Sequence, residues 1–145
     1  MSSIECLLIE DNPGDVELTR ESLKHGRIRN NLHVVEDGEQ ALDYLFQRGE
    51  YANTLLPDII LLDLNLPKID GREILRALKT DSRRRHIPVI ILSSSEAAQD
   101  IQESYRLHAN CFISKPVQLN DFIKAVQMIE TFWIDIVHLP TLPVE

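Results

Sequence analysis

Five short apolar runs, at residues 4–9, 32–35, 58–62, 89–92 and 109–113, alternate along the chain with stretches whose apolar residues recur every three or four positions. Runs of four to six such residues between turn formers read as strands. The third, Asp58 followed by Ile59-Ile60-Leu61-Leu62, is the most apolar and therefore the most central. Helices are predicted from Asn12-Pro13-Gly14-Asp15 to near Gly26 (Val16, Leu18, Leu23) and from Asp37-Gly38 onward (Ala41, Leu42, Leu45, Phe46). Others are predicted from about Gly71 (Ile74, Leu75, Leu78), over 96–107, and from Leu119 (Phe122, Ile123, Val126, Ile129).

Strict alternation of strand and helix implies parallel strands joined by right-handed crossovers, with helices on both faces of one sheet. The predicted fold is a doubly wound α/β sandwich of five parallel strands in the order 2-1-3-4-5, with five helices. Residues 4–130 make one domain on this reading. The remainder, 131–145, carries Phe132, Trp133, Ile136, Val137, Leu139 and Leu142. So many apolar groups at a chain end imply docking, on the chain itself or on a second copy.

A chain of 145 residues, 43% hydrophobic, suffices for one packed domain. Its formal charge of −8 argues against nucleic acid as the principal ligand. The one dense basic stretch, Arg83-Arg84-Arg85-His86, reads as a solvated loop. No apolar run is long enough to span a bilayer and no signal segment opens the chain, so a cytoplasmic protein without membrane partners is expected. Cys6 and Cys111 fall inside strand runs, lack zinc-ligand spacing and read as buried free thiols.

The chemistry lies where the strands end. Glu10 and Asp11 close the first run, Asp63 the third, Ser93 the fourth, and Lys115-Pro116 the fifth. In the strand order above the first and third strands are neighbours, so Glu10, Asp11 and Asp63 converge at the rim where open α/β sheets bind ligands. Three carboxylates so close repel unless a cation sits among them. Oxygen ligands with an incomplete shell suit Mg²⁺, to which the Asn65 carbonyl can add an oxygen. Asp63 then serves as nucleophile for phosphoryl transfer, with Lys115 and the Ser93 hydroxyl gripping the phosphoryl oxygens. Taken singly, Asp11, Asp70 and Ser93 read as helix caps and Lys115 as a surface residue; their shared placement at one end of consecutive strands favours the chemical reading.

Ile9-Glu10-Asp11-Asn12, Leu62-Asp63-Leu64-Asn65-Leu66-Pro67 with Asp70-Gly71, Pro88-Val89-Ile90-Ile91-Leu92-Ser93 and Lys115-Pro116 together resemble the receiver domain of two-component response regulators, over about residues 4–130. The resemblance implies that Asp63 accepts a phosphoryl group from a histidine kinase. It implies that Glu10, Asp11, Asp63 and the Asn65 backbone carbonyl organise Mg²⁺, and that Ser93, Ser94 and Lys115 bind the phosphoryl group. A cis Lys115–Pro116 peptide is implied too. On this likeness Ser93 and Phe112 form the switch: phosphorylation draws Ser93 inward and lets Phe112 rotate, which alters the face made by the fourth helix, fifth strand and fifth helix.

The segments 65–73 and 107–112 and the ending 129–140 are more closely similar to the small response regulators paired with cyanobacterial phytochromes. Those are single receivers that dimerise through the terminal helix and tail, which nominates Phe122, Phe132, Trp133 and Ile136 as dimer contacts. Three departures from the family pattern stand out. Phe112 replaces the frequent tyrosine and has no hydroxyl, Ser93 replaces the commoner threonine and loses the methyl that stiffens its rotamer, and Glu10 is one methylene longer than aspartate. With about 15 residues after the last helix, no DNA-binding module is expected, and the output is association. The alternative is a receiver-like scaffold that no longer takes phosphate. A phosphatase would need a second aspartate where Asn65 stands, and a flavodoxin-like cofactor binder would need a phosphate loop after the first strand.

Overall fold

The structure, a computed structural model, describes residues 3–24 and 30–140, without the side chains of Asp135 and Ile136. Strands β1 (Ile4–Ile9), β2 (Asn30–Val35), β3 (Ile59–Leu62), β4 (Val89–Ser93) and β5 (Cys111–Ser114) form one sheet, ordered β2-β1-β3-β4-β5. Every pairing is parallel, with Ile9 opposite Leu62, Leu62 opposite Ile91 and Ser93 opposite Ser114. The helices are α1 (Pro13–Lys24), α2 (Gly38–Leu45), α3 (Gly71–Lys79), α4 (Ala98–Arg106) and α5 (Leu119–Ile129). The expected fold and strand order are therefore present. The expected end of α1 near Gly26, and Leu142 in the tail, lie outside the described residues.

The period-two alternation of the strands sorts the core onto two faces. Leu7, Ile9, Ile60, Leu62, Val89 and Ile91 pack with α2 and α3, whose buried stripes include Ala41, Leu45, Ile74, Leu75 and Leu78. Cys6, Leu8, Ile59, Leu61 and Ile90 face the other way, where Val16 and Ile129 join them; Leu92 there meets Leu23, Phe122 and Val126. The thiol of Cys6 is wholly enclosed, and burial pushes its pKa up to about 12, while Cys111 is half-buried.

Strand β2 starts two residues earlier than its apolar pattern, because Asn30 and Asn31 pair with Ile4 and Glu5 on a sheet edge where polar side chains reach water. Strand β5 starts two residues later, since His108 takes a positive φ of 71° and turns the chain before Cys111. A 3₁₀ turn at Gly49–Tyr51 has no counterpart in the apolar pattern.

Two sequence expectations are corrected here. Arg84 is only 8% exposed: its guanidinium stacks 4.5 Å from the Phe46 ring, and it donates to the Leu45 carbonyl (2.6 Å) and to Asp81 (3.1 Å). The middle of the basic run is thus a buried clamp from the β4 approach onto α2, not a wet loop. Phe122, nominated as a dimer contact, is 4% exposed inside the α1–α5 layer. It shares one helical stripe with Val126 and Ile129, so the periodicity that made it apolar consumes it in the core.

The tail continues α5 without a break as a π-helical segment, Glu130–Ile136. A π turn returns to the same face after about five residues, and Ile134, five beyond Ile129, is indeed buried beneath α5. The Val137 amide donates to the Phe132 carbonyl at 2.9 Å in the same register. Trp133 and Leu139 pack against the α1–α5 face of the sheet, whereas Phe132, edge-on to Trp133, is left 53% exposed.

Candidate functional site

The loop after β3 is built so that Asp63 is held against the sheet rim. Asp63 donates its backbone N–H to the Ile9 carbonyl (3.0 Å), extending the β1–β3 ladder by one residue past the strand. Two glycines then let the chain fold back. A Cβ on Gly71 would meet the Asp63 carbonyl and the Leu64 Cα within contact distance, and the Gly71 N–H donates to the Leu64 carbonyl at 2.9 Å. Any side chain on Gly38 would collide with the Ile69 backbone, and the Gly38 N–H donates to the Pro67 carbonyl. The starts of α2 and α3 thereby grip residues 63–71 from both sides. Asp70 is the N-cap of α3 and accepts from the Arg72 N–H (2.8 Å). The cap of α1 is Asn12, not Asp11.

With these ends fixed, Glu10, Asp11 and Asp63 each offer a carboxylate oxygen within 4.8 Å of the others. Glu10 and Asp63 are buried and Asp11 is exposed. Lys115 enters from the end of β5, where its N–H donates to the Ser93 carbonyl (2.6 Å). Its ammonium donates to Glu10 Oε1 (2.5 Å), Asp15 Oδ2 (2.9 Å) and Asp63 Oδ2 (3.2 Å). The acids thus surround one cation already, which shows that the donor set suits positive charge.

Burial raises the Glu10 carboxyl to about 7; the Lys115 hydrogen bond opposes that rise, and the Asp63 charge adds to it. Burial alone would lower the pKa of the Lys115 ammonium, but the bonds to Glu10 and Asp15 and the charge of Asp63 outweigh it, so the net direction is upward. The site therefore holds excess negative charge that one ammonium does not neutralise.

Ser93 is fully buried, and its Oγ accepts from the Ser95 N–H at 3.3 Å. Ser94 is exposed on the same loop. Asn65 is exposed on the β3 loop and donates its N–H to Asp63 Oδ1 at 3.2 Å. Phe112 is half-buried against the α2–α3 face. Its backbone N–H, on the free edge of β5, donates to the Tyr105 hydroxyl of α4 (3.1 Å). The Lys115–Pro116 peptide is trans, contrary to the implied cis bond. Trans is the ordinary state of such a bond, and in it Lys115 reaches all three carboxylates.

Sequence reasoning missed two groups. One is Asp15, which in the sequence is only an acid at the start of α1, with nothing local to mark its pairing with Lys115. The other is a polar chain behind Ser93: the Ser95 hydroxyl donates to Asp100 (2.5 Å), and Asp100 also accepts from Arg72 (2.6 Å). Arg72 in turn holds Asp70 and lies 3.7 Å from Glu103. The Ser95 hydroxyl and then Arg72 hold the Asp100 carboxyl below its usual range.

The family described as the response regulator receiver domain matches residues 6–127. The chain belongs to it. Response regulator Rcp1 of Synechocystis sp. is 46% identical over 134 residues, covering 92% of this chain and 91% of that protein. Two solved structures agree with this receiver at a TM-score of 0.94 and 44% identity. One is the phosphorylated cyanobacterial phytochrome response regulator RcpA, with 97% of this chain and 100% of that one covered. The other is the Mn²⁺-bound form of Rcp1, with 95% and 99% covered. This receiver is therefore a response regulator closely related to the phytochrome response regulators, and family membership implies a histidine kinase as its partner.

Proposed function

We propose that Asp63 accepts a phosphoryl group from a histidine kinase of the phytochrome class, and that the chain signals by changed association with other proteins. The reading is carried by one arrangement: the Asp63 carboxylate at the sheet rim, 3.2 Å from the Lys115 ammonium and clustered with Glu10 and Asp11. An Asp63 oxygen attacks the phosphorus of a phosphohistidine, an O–P bond forms as the P–N bond breaks, and the imidazole leaves. Glu10, Asp11 and Asp63 would hold Mg²⁺ with the Asn65 carbonyl, and the ion supplies charge neutralisation of the transferred group. Lys115 and the Ser93 hydroxyl take the phosphoryl oxygens, with Ser94 beside them. The same residues support slow self-phosphorylation from small phosphodonors and self-dephosphorylation, while the chain acts as a switch and not as an enzyme on other substrates.

In this reading the switch is the movement of Ser93 toward the phosphoryl group and of Phe112 on β5. Residues 4–130 form the receiver, and 131–145 extend it for homodimerisation. Phe132 is the best-placed contact for a second copy, being exposed beside Trp133; the Ile136 side chain lies outside the described residues, and Phe122 drops out. The protein works in the cytoplasm, without nucleic acid or membrane.

Incubation with Mg²⁺ and acetyl phosphate, followed by intact mass, is the test. The wild type should gain roughly 80 Da, the mass of one phosphoryl group, and Asp63→Asn should gain nothing. Equal labelling of both would remove Asp63 from its role. Light scattering of Phe132→Ala tests the dimer; an unchanged mass in that variant ends the tail proposal.

A further inference from the structure

Lys115 has three ammonium hydrogens, and each has a carboxylate: Glu10, Asp15 and Asp63. On the phosphoacceptor reading of Asp63, two of these partners change their engagements during the reaction. Glu10 and Asp63 belong to the group of acids poised around a cation, whereas Asp15 does not. Asp63 is also the atom donor to phosphorus. Once those two turn to a divalent ion and a phosphoryl group, the bond to Asp15 is what remains of the ammonium's anchorage.

The ordinary explanation of Asp15 is a helix start. It is the third residue of α1 after the Asn12 cap, the place where an acid commonly reaches back to the cap's own N–H. That is not what its carboxylate does. The Asn12 N–H donates to Glu10 Oε2 (3.3 Å), and Asn12 Oδ1 accepts from the Asp15 N–H (3.0 Å). The Asp15 carboxylate is free to turn to Lys115, across 100 residues of sequence, and it is three-quarters buried there.

We propose that Asp15 is a positioning residue for phosphoryl transfer, the fixed carboxylate that stations the Lys115 ammonium beside Asp63 while Glu10 and Asp63 are otherwise engaged. The proposal rests on the phosphoacceptor reading of Asp63. A lysine ends in a point charge on a flexible four-carbon stem. Without a tether on the α1 side, it would follow whichever acid is unoccupied, and the phosphoryl group would arrive without its cation.

The test is the rate of labelling by acetyl phosphate in saturating Mg²⁺, read by intact mass on the full chain, for wild type, Asp15→Asn, Lys115→Met and the double variant. Mg²⁺ affinity is measured on each by calorimetry. Asp15→Asn should slow labelling about tenfold, the scale of one hydrogen bond to a charged group, with Mg²⁺ affinity changed less than about threefold on the same scale. In the Lys115→Met background the same change should have no further effect, because the group it positions is gone; a purely structural role would slow both backgrounds alike. Asp15→Glu, which keeps the charge, should recover most of the rate.

A wild type that labels and an Asp15→Asn that labels as fast or faster would overturn this role while leaving the phosphoacceptor reading in place, as would equal slowing in both backgrounds. A wild type that never labels would overturn the phosphoacceptor reading, and this role with it.

Discussion

Two basic side chains of this receiver each face three carboxylates. Lys115, 10% exposed, meets Glu10, Asp15 and Asp63 at the rim of the sheet. Arg72, 21% exposed, meets Asp70, Asp100 and Glu103 between α3 and α4, where every acid is wetter than Glu10 and Asp63. The partner count is the same and the consequence differs. A buried ammonium removed from among buried acids leaves charge that water solvates poorly, whereas a guanidinium removed from among wetter acids leaves charges that water reaches more readily. The first arrangement stores unneutralised charge that a reactant can use. The second ties Asp70, at the foot of the Asp63 loop, to Asp100 and hence to Ser95 beside Ser93.

The sharpest way to break the comparison is to delete the two cations. Lys115→Met should cost about 3 kcal/mol or more at neutral pH, the scale of a broken buried pair, measured by urea unfolding without divalent ions. Arg72→Gln should cost less than about 1 kcal/mol. Equal costs would mean that burial is not what separates the two clusters.

The next effect is on pH dependence. The Glu10 carboxyl keeps its proton in the folded chain up to about 7, against 4.5 for an ordinary glutamate carboxyl. Between those values the folded state binds more protons than the unfolded state, so this group's contribution to stability declines as pH rises from about 4.5 to about 7 and then levels. Two variations sharpen it. Lys115 lowers the Glu10 value through its hydrogen bond, so Lys115→Met should extend the decline above pH 7. Mg²⁺ should flatten the decline, since a ligand bound only to the folded chain stabilises it most where the acids are unprotonated. A decline that was unaltered by Mg²⁺ would argue against these acids as its site.

The contrast between the clusters also marks what could be read before the fold was known. Glu10, Asp11, Asp63, Ser93 and Lys115 each end an apolar run, and parallel topology brings the ends of such runs to one rim, so local pattern and global order gave the same answer. Asp15 and Arg72 lie inside helical segments, where an acid or a base is unremarkable; their partners are 100 and 28 residues away, and no local spacing encodes such a pair. Arg84 was hidden by its neighbours, since a run of three arginines reads as wet although its middle member stacks on Phe46. Phe122 shows the converse. Helical periodicity established that it would be covered and left open whether the cover was the chain itself or a second copy.

The smallest predicted effect tests the exposed end of the same scale. Tyr105 on α4 is half-exposed, and its hydroxyl accepts from the Phe112 N–H on the free edge of β5. Tyr105→Phe removes that acceptor without removing the ring. Water can take over an edge amide that is not enclosed, so the stability change should stay within about 0.5 kcal/mol, the low end for a single hydrogen bond. Protection of the Phe112 amide against hydrogen exchange should nonetheless fall, because the hydroxyl and not the ladder shields it. A loss approaching that of Lys115→Met would place this hydroxyl among the buried polar contacts and undo the ordering by exposure. Unchanged exchange at Phe112 would show that the β5 edge is closed by packing of α4 alone, which leaves Phe112 free to move without breaking a hydrogen bond.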